Sequence, residues 1–172
     1  MRHILYFTLL LTAAASCKPS KEELILKKWA ATKVESPMLE KQIDEQKMFI
    51  DTIGTTTSAD QNEKLYGVRN MDSMRVEMRK QLDLITGQQK EAIKNTWLHF
   101  NKDGTVAVNF GSSPDTVSWY FEDDSTLMLD EMKLKGTGSK IRMNVVKLQK
   151  DSLQLRFDEN GFSSLATFQP AK

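Results

Sequence analysis

Between Thr96 and Gln169 apolar and polar residues alternate in seven short runs, each parted from the next by a turn signal. Thr96–Phe100 leads into Asn101-Lys102-Asp103-Gly104, where Asp-Gly tolerates the positive φ of a tight hairpin. Val106, Val108 and Phe110 share a face in the next run, and Gly111–Asp115 turns the chain. Val117, Trp119 and Phe121 follow, then Leu127 and Leu129, then a looser connection ending at Gly136-Thr137-Gly138-Ser139. Ile141, Met143 and Val145 alternate with Arg142 and Asn144, and Leu153, Leu155 and Phe157 with Gln154 and Arg156. Asp158-Glu159-Asn160-Gly161 is the last hairpin and Phe162–Phe168 the last strand. Hairpin-connected strands with one apolar face each predict an antiparallel up-and-down sheet. Trp29–Glu35 supplies one more strand, with Trp29, Ala31 and Lys33 on one side and Ala30, Thr32 and Val34 on the other. Eight antiparallel strands can close into a barrel whose interior is either filled or holds one small ligand.

The pattern changes period between Pro37 and Asn95. Pro is well placed in a first helical turn, and Leu39, Ile43, Ile50 and Ile53 recur at near-helical spacing up to Gly54. Ser58 with Gln61 caps the next segment. From there Leu65, Val68, Met71, Met74, Met78, Leu82 and Ile85 trace one helical face, weakened at Gly67 and broken at Thr86-Gly87. Thr86 with Gln89 predicts a last short helix reaching Lys94. A structureless loop of that length is improbable inside a compact domain, and the sheet is the cheapest cover for the helices' apolar face. The expected fold is mainly β: an eight-stranded antiparallel up-and-down barrel with a helical insertion, 37–95, between strands 1 and 2, followed by the 96–169 meander.

The start of the chain follows another rule. Arg2 and His3 precede an apolar run from Ile4 to Leu11, then the small residues Thr12 to Ser16. That order describes a secretory signal over 1–16, too short to span a membrane. Cys17, the only cysteine, follows directly. Ala14-Ala15-Ser16-Cys17 resembles the lipobox of bacterial lipoproteins, which implies acylation of Cys17 and cleavage before it. The lipid would be the only membrane attachment of an exported protein, held at the outer membrane on its periplasmic or surface face. Ser20-Lys21-Glu22-Glu23 fits a capping box opening a helix to about Lys28. Lys-Glu-Glu so close behind the cysteine is similar to surface-export tags, and is equally a solvated first helical turn.

Composition narrows the function. The 172 residues make one domain beyond the leader, 17–172, with 40% hydrophobic and 27% charged residues. Basic and acidic residues number 24 and 23, without the basic surplus of a nucleic-acid binder. One cysteine excludes an intrachain disulfide. His99 is the only histidine after the leader, and its alternation with Leu98 and Phe100 puts it on the outer face, so no catalytic residue is assigned. No metal and no cofactor are expected: thiolates are absent, acidic turns such as Asp123-Asp124 and Asp158-Glu159 lack EF-hand spacing, and no phosphate loop joins a strand to a helix. Met71, Met74 and Met78 suit packing on the sheet better than soft-metal ligation.

One family combines these features. Trp29 opening the first strand, Phe100-Asn101-Lys102-Asp103-Gly104-Thr105-Val106, Trp119, and Leu127-Met128-Leu129 before the final strands resemble the lipocalin-like lipoproteins of Bacteroidetes. The resemblance covers the first strand and the meander, and implies a fold and a location more than an activity. The expected function is non-enzymatic binding of a small apolar ligand, with Trp29, Phe110, Trp119, Met143 and Phe157 as candidate lining residues that serve equally as core. The other reading is an envelope protein-interaction or structural module acting through the helical insertion.

Overall fold

A computed structural model of the chain describes residues 19–171 except 112 and 160, and of 159 the backbone only. The leader, 1–16, and Cys17 lie outside the described residues. The short helix α1 (Lys21–Ile25) begins at a capping box: the Ser20 hydroxyl accepts from Glu23 N–H at 3.1 Å, and the Glu23 carboxylate accepts from Ser20 N–H at 3.0 Å. It stops at Ile25, short of Lys28, and β1 (Lys28–Glu35) takes over. After the insertion come β2 (Thr96–Phe100), β3 (Thr105–Phe110), β4 (Asp115–Phe121) and β5 (Thr126–Asp130). β6 (Lys140–Gln149), β7 (Ser152–Glu159) and β8 (Phe162–Pro170) complete the sheet.

These eight strands close into an antiparallel barrel in sequence order, with β1 hydrogen-bonded to both β2 and β8. Closure leaves no unpaired edge. The alternation fixes the register: Leu98 pairs with Val108, Leu129 with Ile141, and Leu155 with Ala166, all carried on the inner face. β1 departs from simple alternation. A bulge between Ala31 and Lys33 inserts one residue, so Val34 pairs with Ala166 and packs against the core while Lys33 pairs with Thr167 and is exposed. That reverses the expected sides of Lys33 and Val34. An aliphatic side chain gains by burial, and a lysine there would be a buried unpaired charge.

The insertion is helical, with boundaries that differ from the expectation at two glycines. α2 (Pro37–Thr52), α3 (Ala59–Tyr66) and α4 (Met71–Lys94) make it up. At Gly67 the chain adopts φ 72°, a left-handed cap, and α3 ends outright where the sequence suggested one weakened helix. Asn70 then caps α4, accepting from Asp72 N–H at 3.0 Å. Thr86-Gly87, the expected break, lies inside α4. The Thr86 hydroxyl donates to the carbonyl of Leu82 at 3.0 Å and caps nothing. A helical glycine costs only about 1 kcal/mol against Ala, and packing of the flanking turns outweighs that.

α4 lies against α2 and returns to β1. Met71 is buried, and Met74 and Met78 half-buried. This stripe faces α2 rather than the sheet: Met78 lines a surface cleft with Phe49 and Ile50, and a Cβ on Gly54 would come 2.5 Å from Met71 Cγ. Where α4 ends, a Cβ on Gly111 (φ 87°) would come 3.1 Å from Ala92 Cβ and 3.3 Å from its backbone. Only a glycine lets the β3–β4 loop approach the helix so closely.

The barrel has two unlike ends. The β2–β3, β4–β5 and β6–β7 turns gather at one end with α1. Lys21 pairs with Asp124 at 3.2 Å, and Lys27 Nζ donates to Lys150 O at 2.9 Å, which ties α1 to two of those turns. Ile25 is fully buried in the core. This end is the floor. At the other end stand the β3–β4 loop, the β5–β6 connection, the β7–β8 hairpin and the insertion. The expected loose connection there holds a further helix, α5 (Glu131–Lys135), capped by Asp130.

Candidate functional site

The floor half is filled. Trp29 is 0% exposed and its indole N–H donates to Ile25 O at 2.9 Å. Trp119 donates to Asn101 O at 3.2 Å and stands edge-on between two rings. Its centroid lies 5.3 Å from Phe100 at 88° and 6.0 Å from Phe121 at 89°. Each such contact contributes about 0.5–1.5 kcal/mol beyond burial. Met143 sits above them, buried opposite Leu127.

The mouth half is not filled. Phe110, Ile141 and Phe162 lie at inward-facing register positions, yet are 50%, 40% and 44% exposed. An open cleft of about 490 Å3 runs along the β3–β6 side of the mouth. Val108, Val117 and Leu129 form its bottom, and Phe110, Pro114 and Ile141 its walls. Ser113, Asp115, Glu131 and Ser139 supply the polar lining. The volume falls in the usual range for small-molecule sites, about 300–1,000 Å3.

The candidate residues therefore do not come together. Phe110 lines the cleft. Trp29, Trp119 and Met143 are buried in packed core away from it, and Phe157 is half-buried on the opposite wall, paired with Ser164. Alternation identified the inner face but not height along it, and height decides whether an inward residue packs or lines. The acidic lining was missed because Asp115 reads as a turn residue and Glu131 belongs to an unforeseen helix. A signal was present in both cases: each continues the inward parity of its strand, Asp115 before Val117 and Glu131 after Leu129.

α5 orders the polar wall. Lys135 Nζ lies 2.6 Å from Asp115 Oδ2 and 3.6 Å from Glu131 Oε1. Hydrogen bonding to Lys135, and then to Thr116 N–H, holds the Asp115 carboxyl below its usual range. The Ser139 N–H and hydroxyl do the same for Glu131, with Lys135 adding to it. Behind them, on the outer side of β5, Asp130 is buried. It accepts from Lys133 N–H at 2.9 Å and pairs with Lys140 at 2.9 Å, and the Lys140 hydrogen bond is the largest influence lowering its pKa. The wall thus stays ionised down to acid pH.

A second cleft, about 730 Å3, opens between α2 and α4 beside Val34 and Ile93. It is more open, and charges of both signs ring it, including Glu40, Asp44, Lys47, Asp83 and Lys90. His99 is exposed on the outer face, opposite Lys28 and Ala107. Among the described residues no three His, Cys, Asp or Glu side chains come together as a metal site. Likewise, among those residues no helix is long and apolar enough to cross a membrane.

The site and scaffold define a closed eight-stranded up-and-down barrel with one packed end and one open, partly apolar mouth. A scan of protein-family models, a search of curated proteins and a search of solved structures each return no match to the chain.

Proposed function

We propose that this chain is a lipid-anchored cell-envelope lipoprotein of lipocalin-like type whose barrel binds a small apolar ligand without acting on it chemically. One observation carries the binding: Phe110 and Ile141 face inward, line a cleft and remain 50% and 40% exposed. Apolar side chains left wet on an inner face gain about 25 cal/mol for each Å2 that a ligand covers. Phe157, half-buried on the far wall, would complete the enclosure. The test is titration with N-phenyl-1-naphthylamine, whose fluorescence rises in apolar surroundings. Saturable binding that weakens at least tenfold in Phe110→Ser/Ile141→Ser supports the reading, and binding unchanged by that pair overturns it.

The anchor rests on the lipobox-like Ala14-Ala15-Ser16-Cys17. Replacing Cys17 by Ser is expected to abolish acyl labelling and membrane retention, and full retention in that variant removes the anchor from the reading. A second reading also has an observation behind it. Met48, Phe49, Leu84 and Ile85, all on the insertion, are each more than half exposed, Phe49 and Ile85 around one cleft, and exposed apolar side chains that gather into a patch mark a protein-interaction face. The module would then act through α2 and α4, and substitutions at the mouth would leave its activity intact.

A further inference from the structure

The mouth cleft has a sign as well as a shape. Among the described residues that line it, Asp115 and Glu131 are the only charged side chains. Lys135 lies outside that lining, on α5, and reaches in with one ammonium 2.6 Å from Asp115 and 3.6 Å from Glu131. The two carboxylates are therefore spaced so that one ammonium meets both. Against these two carboxylates Lys135 brings one positive charge, so the three groups at the cleft carry one negative charge in surplus, beside an apolar bottom of Val108, Val117 and Leu129.

We propose that the cleft takes a cationic amphiphile: one apolar chain laid between Phe110 and Ile141, and an ammonium head held by Asp115 and Glu131. This rests on the reading of the barrel mouth as a ligand site and adds the ligand's charge. A carboxylate head of equal length would meet two fixed carboxylates, and like charge at a partly desolvated rim disfavours binding. Lys135 acts as an internal competitor, an ammonium already seated where the ligand's head belongs. Selection between heads is thus built from a repulsive element and an attractive one.

The experiment compares three probes of equal chain length, each below its aggregation concentration: dodecylammonium, dodecanoate and dodecanol. Affinities are read by displacement of N-phenyl-1-naphthylamine from the full chain. Dodecylammonium is expected to bind at least tenfold tighter than dodecanoate, with dodecanol between them. Asp115→Asn/Glu131→Gln keeps hydrogen-bond acceptors at both positions, and should bring the two charged probes within about threefold of each other. Lys135→Gln removes the competitor and should tighten dodecylammonium several-fold, an opposite sign that loss of folding cannot imitate. Dodecanol binding with no preference between the charged heads overturns the charge assignment and leaves the apolar site standing. Binding of none of the three overturns both.

Discussion

The floor and the mouth of this barrel are made of similar side chains and do opposite things with them. At the floor, Trp29, Phe100 and Trp119 are buried, and both indole N–H groups find backbone carbonyls. At the mouth, Phe110, Ile141 and Phe162 occupy the same inner face and stay wet. The difference comes from what closes each end. α1 follows a capping box, lays Ile25 into the core and is pinned by Lys21 and Lys27 to the turns around it. The insertion at the other end turns much of its apolar face on itself: Met71 packs by Gly54 and Met78 beside Ile50, while Ile93 near the end of α4 packs on the barrel core and α2 touches β8. Stability and binding are thereby separated along one axis, with packing concentrated where no ligand can enter.

The largest effect expected from breaking that contrast is at Trp29. Trp29→Ala removes a fully buried indole and its hydrogen bond to Ile25 O. It should cost about 3–5 kcal/mol, read as a lower urea midpoint with the slope unchanged. A loss under 1 kcal/mol would mean that the floor is not the packed end. Next comes Trp119→Phe, which keeps a ring beside Phe100 but leaves Asn101 O without its indole donor. The expected cost is about 1–2 kcal/mol, measured in the same way.

These two predictions rest on the part of the molecule most legible in the sequence. Strand order, hairpin positions, the inner face and the closed antiparallel barrel all follow from period-2 alternation and turn chemistry, which are local. What the sequence conceals is cooperative. The β1 bulge depends on how Val34 meets Ala166 across the β1–β8 seam, a contact more than a hundred residues apart. The continuity of α4 through Gly87 depends on turns packed on either side of it. α5 lies in a connection whose Gly136 and Gly138 read as a loop, although Asp130 supplies an N-cap that could have announced it. The mouth cleft was hidden for the most physical reason: an apolar residue at the end of a strand looks the same whether or not something covers it.

A smaller effect concerns pH: at the mouth it falls on the carboxyls beside the cleft, and at the floor only on Asp103 and Asp123, which lie in the turns outside the packed core. Folding lowers the pKa of Asp130, Asp115 and Glu131, so each carboxyl binds protons less readily folded than unfolded. Their stabilisation is complete above the ordinary values of 3.8 for the aspartates and 4.5 for Glu131, and is lost as pH falls below these towards the lowered folded values. The amides of Lys133 and Ser139, which donate to Asp130 and Glu131, should shift in NMR spectra between pH 5 and about pH 2.5. The indole N–H signal of Trp29 should hold while α5 loosens, because a backbone carbonyl accepts from it, whereas that of Trp119, which donates to Asn101 O, also reports the turn that Asp103 orders. Loss of the Trp29 signal together with those amides would show the two ends to be one cooperative unit.

The smallest expected change in stability is the one that matters most for function. Phe110→Ser and Ile141→Ser remove apolar groups from the same inner face that Trp29 occupies, but from positions already 50% and 40% exposed. A half-exposed side chain has only part of its burial to lose, so each substitution should cost about 1 kcal/mol. A packed role predicts a cost of about 3 kcal/mol or more for Phe110, as for any aromatic cut from a core. The urea midpoint of Phe110→Ser therefore decides directly between lining and packing, with no ligand needed. If that midpoint falls by only the smaller amount while naphthylamine binding falls tenfold, inner face and core are different things in this barrel, and the boundary between them runs above Met143.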